Sequence, residues 1–375
     1  MKKTLTARMI VAGAGDDADL RYASGFSPVD AVVFLDRGRG DKHLVVPQLD
    51  YGRALDEARD SKAWSPELLE LPASERRSRA AWAVALARRT RTRAVQVGET
   101  FPLGVARALE RANVRVAVAE GALYPERAVK SAREIECIRA AQRGAVEAMH
   151  AAVRALRNAR VNKARELILE GRVLTSERIK VLIGRALLDQ QCFAREVIVA
   201  CGAHAADPHH RGDGPLRANE TIVIDIFPQH QPSGYWGDIT RTFVKGTATP
   251  IVKRMYRAVR AAQRWAIQAM RPGVRADRIH KEIVRRFDAA GFATTQRDGR
   301  PVGFSHGTGH GVGLEIHEPP TLSTVSVRLR AGHVVTVEPG LYDPAHGGIR
   351  IEDTVLVAGD GAQVLVPFPY YFELK

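Results

Sequence analysis

Long apolar runs are missing from this 375-residue chain. None approaches the roughly 20 residues that a helix needs to cross a bilayer, so no membrane partner is expected. The N-terminal MKKTLTARMIVAGAG begins basic, but Arg8 interrupts a very short apolar stretch, and the segment makes a poor signal peptide. Cysteine is scarce: Cys137, Cys192 and Cys201 are odd in number and show no CxxC spacing. That argues against a disulfide framework or a thiolate zinc site and makes a reducing cytoplasm the default. The net charge of +14 invites a nucleic-acid reading. Yet no aromatic-interleaved RNP-like pattern and no Cys/His finger accompanies it. Much of the charge is arginine strung along helical stretches such as Arg79 to Arg93, as on solvated helix faces, so no specific nucleic-acid partner is expected. What is present is ordinary for a soluble globular protein: 45% hydrophobic and 26% charged residues, with length enough for two domains.

Residues 1 to about 125 read as a small α/β unit. Runs at Asp30–Leu35, His43–Val46, Ala94–Val97 and Val114–Val118 predict strands, and patterns near Ser78–Arg91 and Leu103–Ala112 predict helices. This part has no glycine-rich phosphate loop and no cluster of metal-ligating side chains, which suits a scaffold or a substrate-gating role. Ser131 and Glu134 then form a capping box. A long helix should follow, with Ile135, Ile138 and Val146 on its apolar side, and the domain boundary falls just before it. A second helix should run from Thr175 or Ser176 to about Gln190. The rest has two halves of similar grammar. In the first, two helices precede a strand pair at Glu220–Phe227 and Tyr235–Lys245. In the second, helices at Ile251–Met270 and Arg275–Ala290 precede a pair at His333–Tyr342 and Gly348–Val357.

The chemistry starts with Asp225, set inside the apolar run Thr221–Phe227. A carboxylate there is costly unless a charge compensates it. The next strand carries Asp238, and turn-forming Pro232, Ser233 and Gly234 lie between, so a hairpin would bring the two acids together. Close carboxylates repel until one takes a proton or a cation sits between them. A salt bridge to nearby Arg241 is the structural alternative. The second pair repeats the problem: an apolar strand ends at Glu338, and in Gly348–Thr354 strand alternation puts Arg350 and Glu352 on one face. Asp353 points away and is the weaker ligand. Between the pairs lies HGTGHGVGLEIH, whose glycines let the backbone pack closely while His306, His310 and His317 project. It lacks the Lys-Ser/Thr of a phosphate loop. Four carboxylates and one imidazole favour hard or borderline cations such as Mn²⁺, Co²⁺ or Zn²⁺, and four negative charges match two divalent ions. Paired ions can activate a shared water and clamp a polarised carbonyl.

These stretches resemble the pita-bread metallopeptidases, the family of methionine aminopeptidase, aminopeptidase P and prolidase. The matching segments are VIDI around Asp225, GYWGDITRT around Asp238, HGTGHGVGLEIHE, VEPGLY and GIRIEDT, within residues 129–357. LRYASGF at Leu20–Phe26 is similar to the N-terminal domain of creatinase-type members, which methionine aminopeptidases lack. The resemblance implies a creatinase-like α/β domain over residues 1–128 and an α+β pita-bread catalytic domain with pseudo-twofold halves over residues 129–375. It makes Asp225 terminal on one metal and Asp238 and Glu352 bridging, with His310 and Glu338 completing the set. It assigns His209 and His317 to the substrate and the tetrahedral intermediate, Glu338 to proton transfer, His306 to the pocket wall and Arg350 to the substrate's carboxyl end. His210 remains an alternative to His209. The chain departs from the family at Phe227, where glycine is usual, and in a longer first hairpin turn.

The leading expectation is therefore hydrolysis of Xaa-Pro bonds in small peptides, as a prolidase-like dipeptidase or an aminopeptidase P, by a cytoplasmic homodimer with two divalent ions, Mn²⁺ first among them. The alternatives are another pita-bread activity, such as a non-prolyl aminopeptidase or a creatinase-like C–N hydrolase, and a non-catalytic binding protein on the same fold. Retention of all five ligands weighs against creatinase-like chemistry, which dispenses with metal, and against the binding protein.

Overall fold

Period-two alternation builds the first of the two units into which the chain divides, Met1–Arg127 and Ala128–Lys375. The computed structural model describes residues 7–13, 17–297 and 299–375. Of the stretch read as a poor signal peptide, residues 1–6 and 14–15 lie outside the described residues. Strands β1 (Ala7–Ala12), β2 (Val32–Asp36), β3 (Lys42–Val45), β4 (Ser61–Trp64), β5 (Ala94–Val97) and β6 (Arg115–Val118) form one mixed sheet in the order β4-β3-β2-β1-β5-β6. Its helices are α1 (Ala18–Ser24), α2 (Tyr51–Glu57), α3 (Arg79–Arg89) and α4 (Leu103–Arg111). Along β2, Val33 and Leu35 enter a core with Trp82 and Leu86 of α3 and Leu109 of α4. Val32 and Phe34 enter another with Leu20 of α1 and Ala54 of α2. Four of these strands sit where apolar runs predicted them. β1 and β4 were not visible as runs, because Arg8 interrupts the first and Ser61 and Lys62 open the second.

In the second unit Ser131 and Glu134 close the expected capping box on α5 (Ala132–Asn158), and Thr175 caps α6 (Ser176–Asp189). Ile138 and Val146 are buried on α5, whereas Ile135 is only half-buried. These helices cover strands β7 (Val197–Cys201), β8 (Thr221–Ile226) and β9 (Ile239–Lys245), with Ile179 and Ile183 packed in one core with Ile222, Ile224 and Phe243. The second half repeats the plan with α7 (Pro250–Ala269) and α8 (Ala276–Ala289). Strands β10 (Gly309–Gly311), β11 (Glu318–Leu322), β12 (Val334–Val337), a hairpin of β13 (Gly340–Asp343) and β14 (Gly347–Arg350), and β15 (Asp353–Val357) follow. The neighbours run β11-β10-β12-β15. The architecture is the expected α/β unit followed by an α+β unit of two similar halves. No helix among the described residues is long and apolar enough to cross a membrane.

Two details differ from the strands read in the sequence. The runs His333–Tyr342 and Gly348–Val357 each break in two, at Glu338–Pro339 and at Ile351–Glu352. Pro339 has no N–H to continue a ladder. The strand expected from Tyr235 begins only at Ile239, because the long connection folds Gln229–His230 back against Cys192–Phe193.

Candidate metal centre and pocket

Each half turns an apolar strand face to its helices and its polar face to a shared pocket. On β8, Ile222, Ile224 and Ile226 belong to the helix-backed core, so Asp225 between them faces the other way. Asp225 pairs with Thr240 of β9, and Asp238, two residues earlier, shares that face. The α5 helix fixes Asp238 by its backbone. The Gln142 amide accepts from Asp238 N at 2.8 Å and donates to Asp238 O at 3.0 Å. The helix comes so close that a Cβ on Gly237 would lie 2.7 Å from Gln142 N. In the second half Val335 and Val337 are in the core, leaving Thr336 and Glu338 facing away from it. Val337 pairs with Asp353, a register that sets Glu338 opposite Glu352 across the two strand breaks. His310 is carried on β10, where a Cβ on Gly309 would lie 2.0 Å from Thr336 O.

The side chains converge on one point. His310 Nε2 lies 3.3 Å from Glu338 Oε1 and 3.6 Å from Asp238 Oδ2. Its Nδ1 faces the Gly311 carbonyl at 3.2 Å, which only accepts, so Nδ1 carries the proton and Nε2 offers its lone pair to the acids. Thr240 Oγ1 donates to Glu352 Oε2 at 2.6 Å and Thr336 Oγ1 to Glu338 Oε1 at 3.2 Å. Burial pushes the carboxyls of Asp238, Glu352 and Glu338 up. For Asp238 the neighbouring Glu352, Asp225 and Glu338 add to it. Burial also pushes the His310, His306 and His317 imidazoles down, towards the neutral form that ligates.

The donor set fits metal. Asp225 Oδ1 and Glu352 Oε1 are buried with no hydrogen-bond partner, a costly arrangement for protein alone. Ligand atoms of Asp238, His310 and Glu352 lie within 4.8 Å of one another. A second group within that spread, His204, His210 and Asp213, does not line the pocket. Its two imidazoles stack 4.0 Å apart at 17°, so their lone pairs run side by side rather than converge.

The pocket holds about 580 Å³, a size that suits a small ligand. Every site residue singled out in the sequence lines it: His209, Asp225, Asp238, His306, His310, His317, Glu338, Arg350 and Glu352. Among the two adjacent histidines it is His209, not His210, that does so. Arg241 does not join Asp225 or Asp238; it lies fully buried against Asp353 at 2.7 Å, on the opposite strand face. Arg350 takes the role of counter-charge instead, 2.7 Å from Asp225 Oδ2. Its other bonds go to Pro208 O at 3.1 Å, Tyr342 Oη at 3.0 Å and Thr240 Oγ1 at 3.3 Å. These engage four of the five guanidinium N–H groups. Further residues support and line the pocket, Phe227 among them, the position where the chain departs from the family. Tyr342 bonds His306 Nε2 at 2.8 Å, and burial pushes its phenol up to about 12. Arg211 and Glu196 form an ion pair at the rim, and Ile198, Phe227 and Ile316 add apolar surface.

A pocket of buried acids around a neutral imidazole is what metal-dependent hydrolysis needs, and the chain belongs to metallopeptidase family M24, whose family model matches residues 136–358. It is thus a metallopeptidase. An Xaa-Pro dipeptidase of Pyrococcus horikoshii is 30% identical over 351 residues, 92% of this chain and 89% of its own. Among solved structures, the prolidase from Pyrococcus furiosus superimposes with a TM-score of 0.78 at 25% identity over 98% of both chains. The X-Pro aminopeptidase from Thermotoga maritima gives a TM-score of 0.81 over 99% of this chain and 98% of its own, and at 23% identity that likeness shows the fold alone.

Proposed function

We propose that this metallopeptidase hydrolyses the bond before proline in small peptides, with Asp225, Asp238, His310, Glu338 and Glu352 holding two divalent ions, Mn²⁺ before Co²⁺ or Zn²⁺. The observation that carries the reading is the buried group of acids around His310, with Asp225 Oδ1 and Glu352 Oε1 unpartnered. The Xaa-Pro relatives supply the substrate class. Bound ions would polarise the scissile carbonyl and lower the pKa of an attacking water. Asp225, Asp238, His310, Glu338 and Glu352 would supply the carboxylate and imidazole ligands. Glu338 would pass a proton from that water to the leaving proline nitrogen. His209 and His317 would donate to the developing oxyanion. His317 packs edge-on against His310 at 4.2 Å, which keeps it beside the reacting atoms. Tyr342 and the Gly307 carbonyl hold the His306 ring against the pocket.

Arg350 has most of its donors engaged by protein, so its first task is to hold Asp225 and, through Pro208, the segment carrying His209. That weakens the case for a dedicated carboxylate clamp at Arg350. The three free cysteines support a cytoplasmic setting. The reading includes a homodimer, to be checked by light scattering. The deciding experiment is metal analysis with parallel assays of Xaa-Pro dipeptides, longer Xaa-Pro peptides and peptides lacking proline. Asp238→Ala should abolish activity and lower the metal content of a folded protein. Full activity in that variant, or after exhaustive chelation, would remove the metal mechanism; equal turnover of peptides lacking proline would remove the substrate class.

A further inference from the structure

Sharing no lining residue with the acidic pocket, a groove of about 470 Å³ between α7 and α8 carries charge of the opposite sign. Arg257, Arg260 and Arg264 stand three and four residues apart on α7, which sets them on one helix face, and Arg286 of α8 joins them. Like charges at that spacing repel, so the cluster is unfavourable in the absence of an anion. Arg257 and Arg264 are exposed and make no ion pair with any described residue; the carboxylate bound to the cluster is Glu282, 3.0 Å from Arg286 Nε and shared with Arg285.

The groove is also stiffened from behind. Arg260 lies over the Tyr370 ring at 3.4 Å and donates to Gln263 Oε1 at 2.7 Å. Arg286 lies over Trp265 at 4.6 Å. Stacking of this kind fixes a guanidinium plane while leaving its edge free to donate. The aromatic rings therefore back the cations rather than forming open platforms for bases. Tyr370 carries Arg241 as well as Arg260, and Tyr256 is stacked on Phe372 at 4.0 Å. Recognition here would come from charge and forked donors, which match phosphate oxygens, and not from stacking.

We infer that this groove, lined by Arg257, Arg260, Arg264 and Arg286, binds a compact multivalent phosphoanion at a site separate from the metal pocket. The probe is inorganic pyrophosphate, titrated calorimetrically into the full-length metal-loaded protein. Because pyrophosphate also binds metal, three proteins are compared: wild type, Arg257→Gln/Arg264→Gln, and Asp238→Asn. Loss of two charge-assisted contacts should weaken the groove component by at least about tenfold in the double glutamine variant. That variant should keep wild-type peptidase activity, which also shows it is folded, and Asp238→Asn should retain the groove component. The wild-type affinity should fall with added salt, as expected of exposed charges. Unchanged binding in the double variant overturns the inference, as does loss of all binding in Asp238→Asn. Tighter binding of a single-stranded oligonucleotide that the double variant also loses would overturn the compact-anion reading in favour of a nucleic acid. Should the double variant fail to fold, Arg264→Glu alone provides the same comparison.

Discussion

Gln142 is where the metal ligands meet the helical core, and replacing it tests how Asp238 is held. Its amide is buried and clasps both backbone groups of Asp238, at 2.8 and 3.0 Å. Methionine keeps the volume and removes both bonds. Asp238 O would still accept from Thr354 Oγ1 at 2.8 Å, whereas Asp238 N would be left buried without a partner. One lost bond at about 1 kcal/mol and one orphaned N–H at about 1–3 kcal/mol give a loss of about 2–4 kcal/mol for Gln142→Met. The carboxylate should also lose its aim, and groups that orient ligands are typically worth about 10–100-fold in metal affinity. Urea unfolding of metal-free protein reads the first quantity, and competition with a chromophoric chelator reads the second. Stability within about 0.5 kcal/mol of wild type together with unchanged metal affinity would refute the reasoning and shift the positioning of Asp238 to its strand alone.

Other outcomes follow from the same geometry. His209→Ala should lose rate while retaining its full metal complement by elemental analysis; loss of metal would mean that His209 has been given the wrong role. Arg350→Met should depress kcat alike for Xaa-Pro dipeptides and their C-terminally amidated analogues, since four of its N–H groups serve the protein. A KM increase confined to the free dipeptides would instead make Arg350 a carboxylate clamp. Burial, assisted by Lys130 and Arg330, holds His333 down at about 4 against an ordinary 6.5. Between those values the unfolded chain binds the proton and the folded one does not, so stability should fall as pH drops from about 6.5 towards 4. Urea midpoints across that range should show a shallower fall in His333→Gln; identical curves would assign the acid sensitivity elsewhere.

The acids of the site were legible because a carboxylate in an apolar strand is hard to explain without a cation, and Asp225 and Glu338 both end or interrupt such strands. The groups that aim them were not legible. Gln142 and Thr240 are common residue types whose role depends on partners distant in the chain: Gln142 holds Asp238 across 96 positions and Thr240 reaches Glu352 across 112. Arg241, offered as a salt-bridge partner for the acids, was misplaced by sequence proximity: it faces Asp353 on the other side of β9, and Arg350 pairs with Asp225 instead. The break at Glu352 lies outside what a binary pattern conveys, since apolar residues continue past it from Ile349 and Ile351 to Val355, whereas Pro339 marks the other break by its missing N–H. In the first unit Val114–Val118 was readable despite Arg115, because apolar residues alternate around it, whereas Arg8 and the Ser61–Lys62 start left too short an apolar run to mark β1 and β4.

The even division of the acids between the halves, Asp225 and Asp238 from one and Glu338 and Glu352 from the other, has a consequence for how robustness and activity trade against each other. Each half owes its own cohesion to a helix-backed core that faces away from the pocket. The seam between them is lined by like charges whose burial opposes ionisation. Without an ion, the seam works against the fold that the two cores sustain. Substitutions that neutralise it should therefore make the metal-free protein tougher even as they silence it, while losses in either core should soften the protein without changing what the seam can bind. Selection for durability alone would erode this site first.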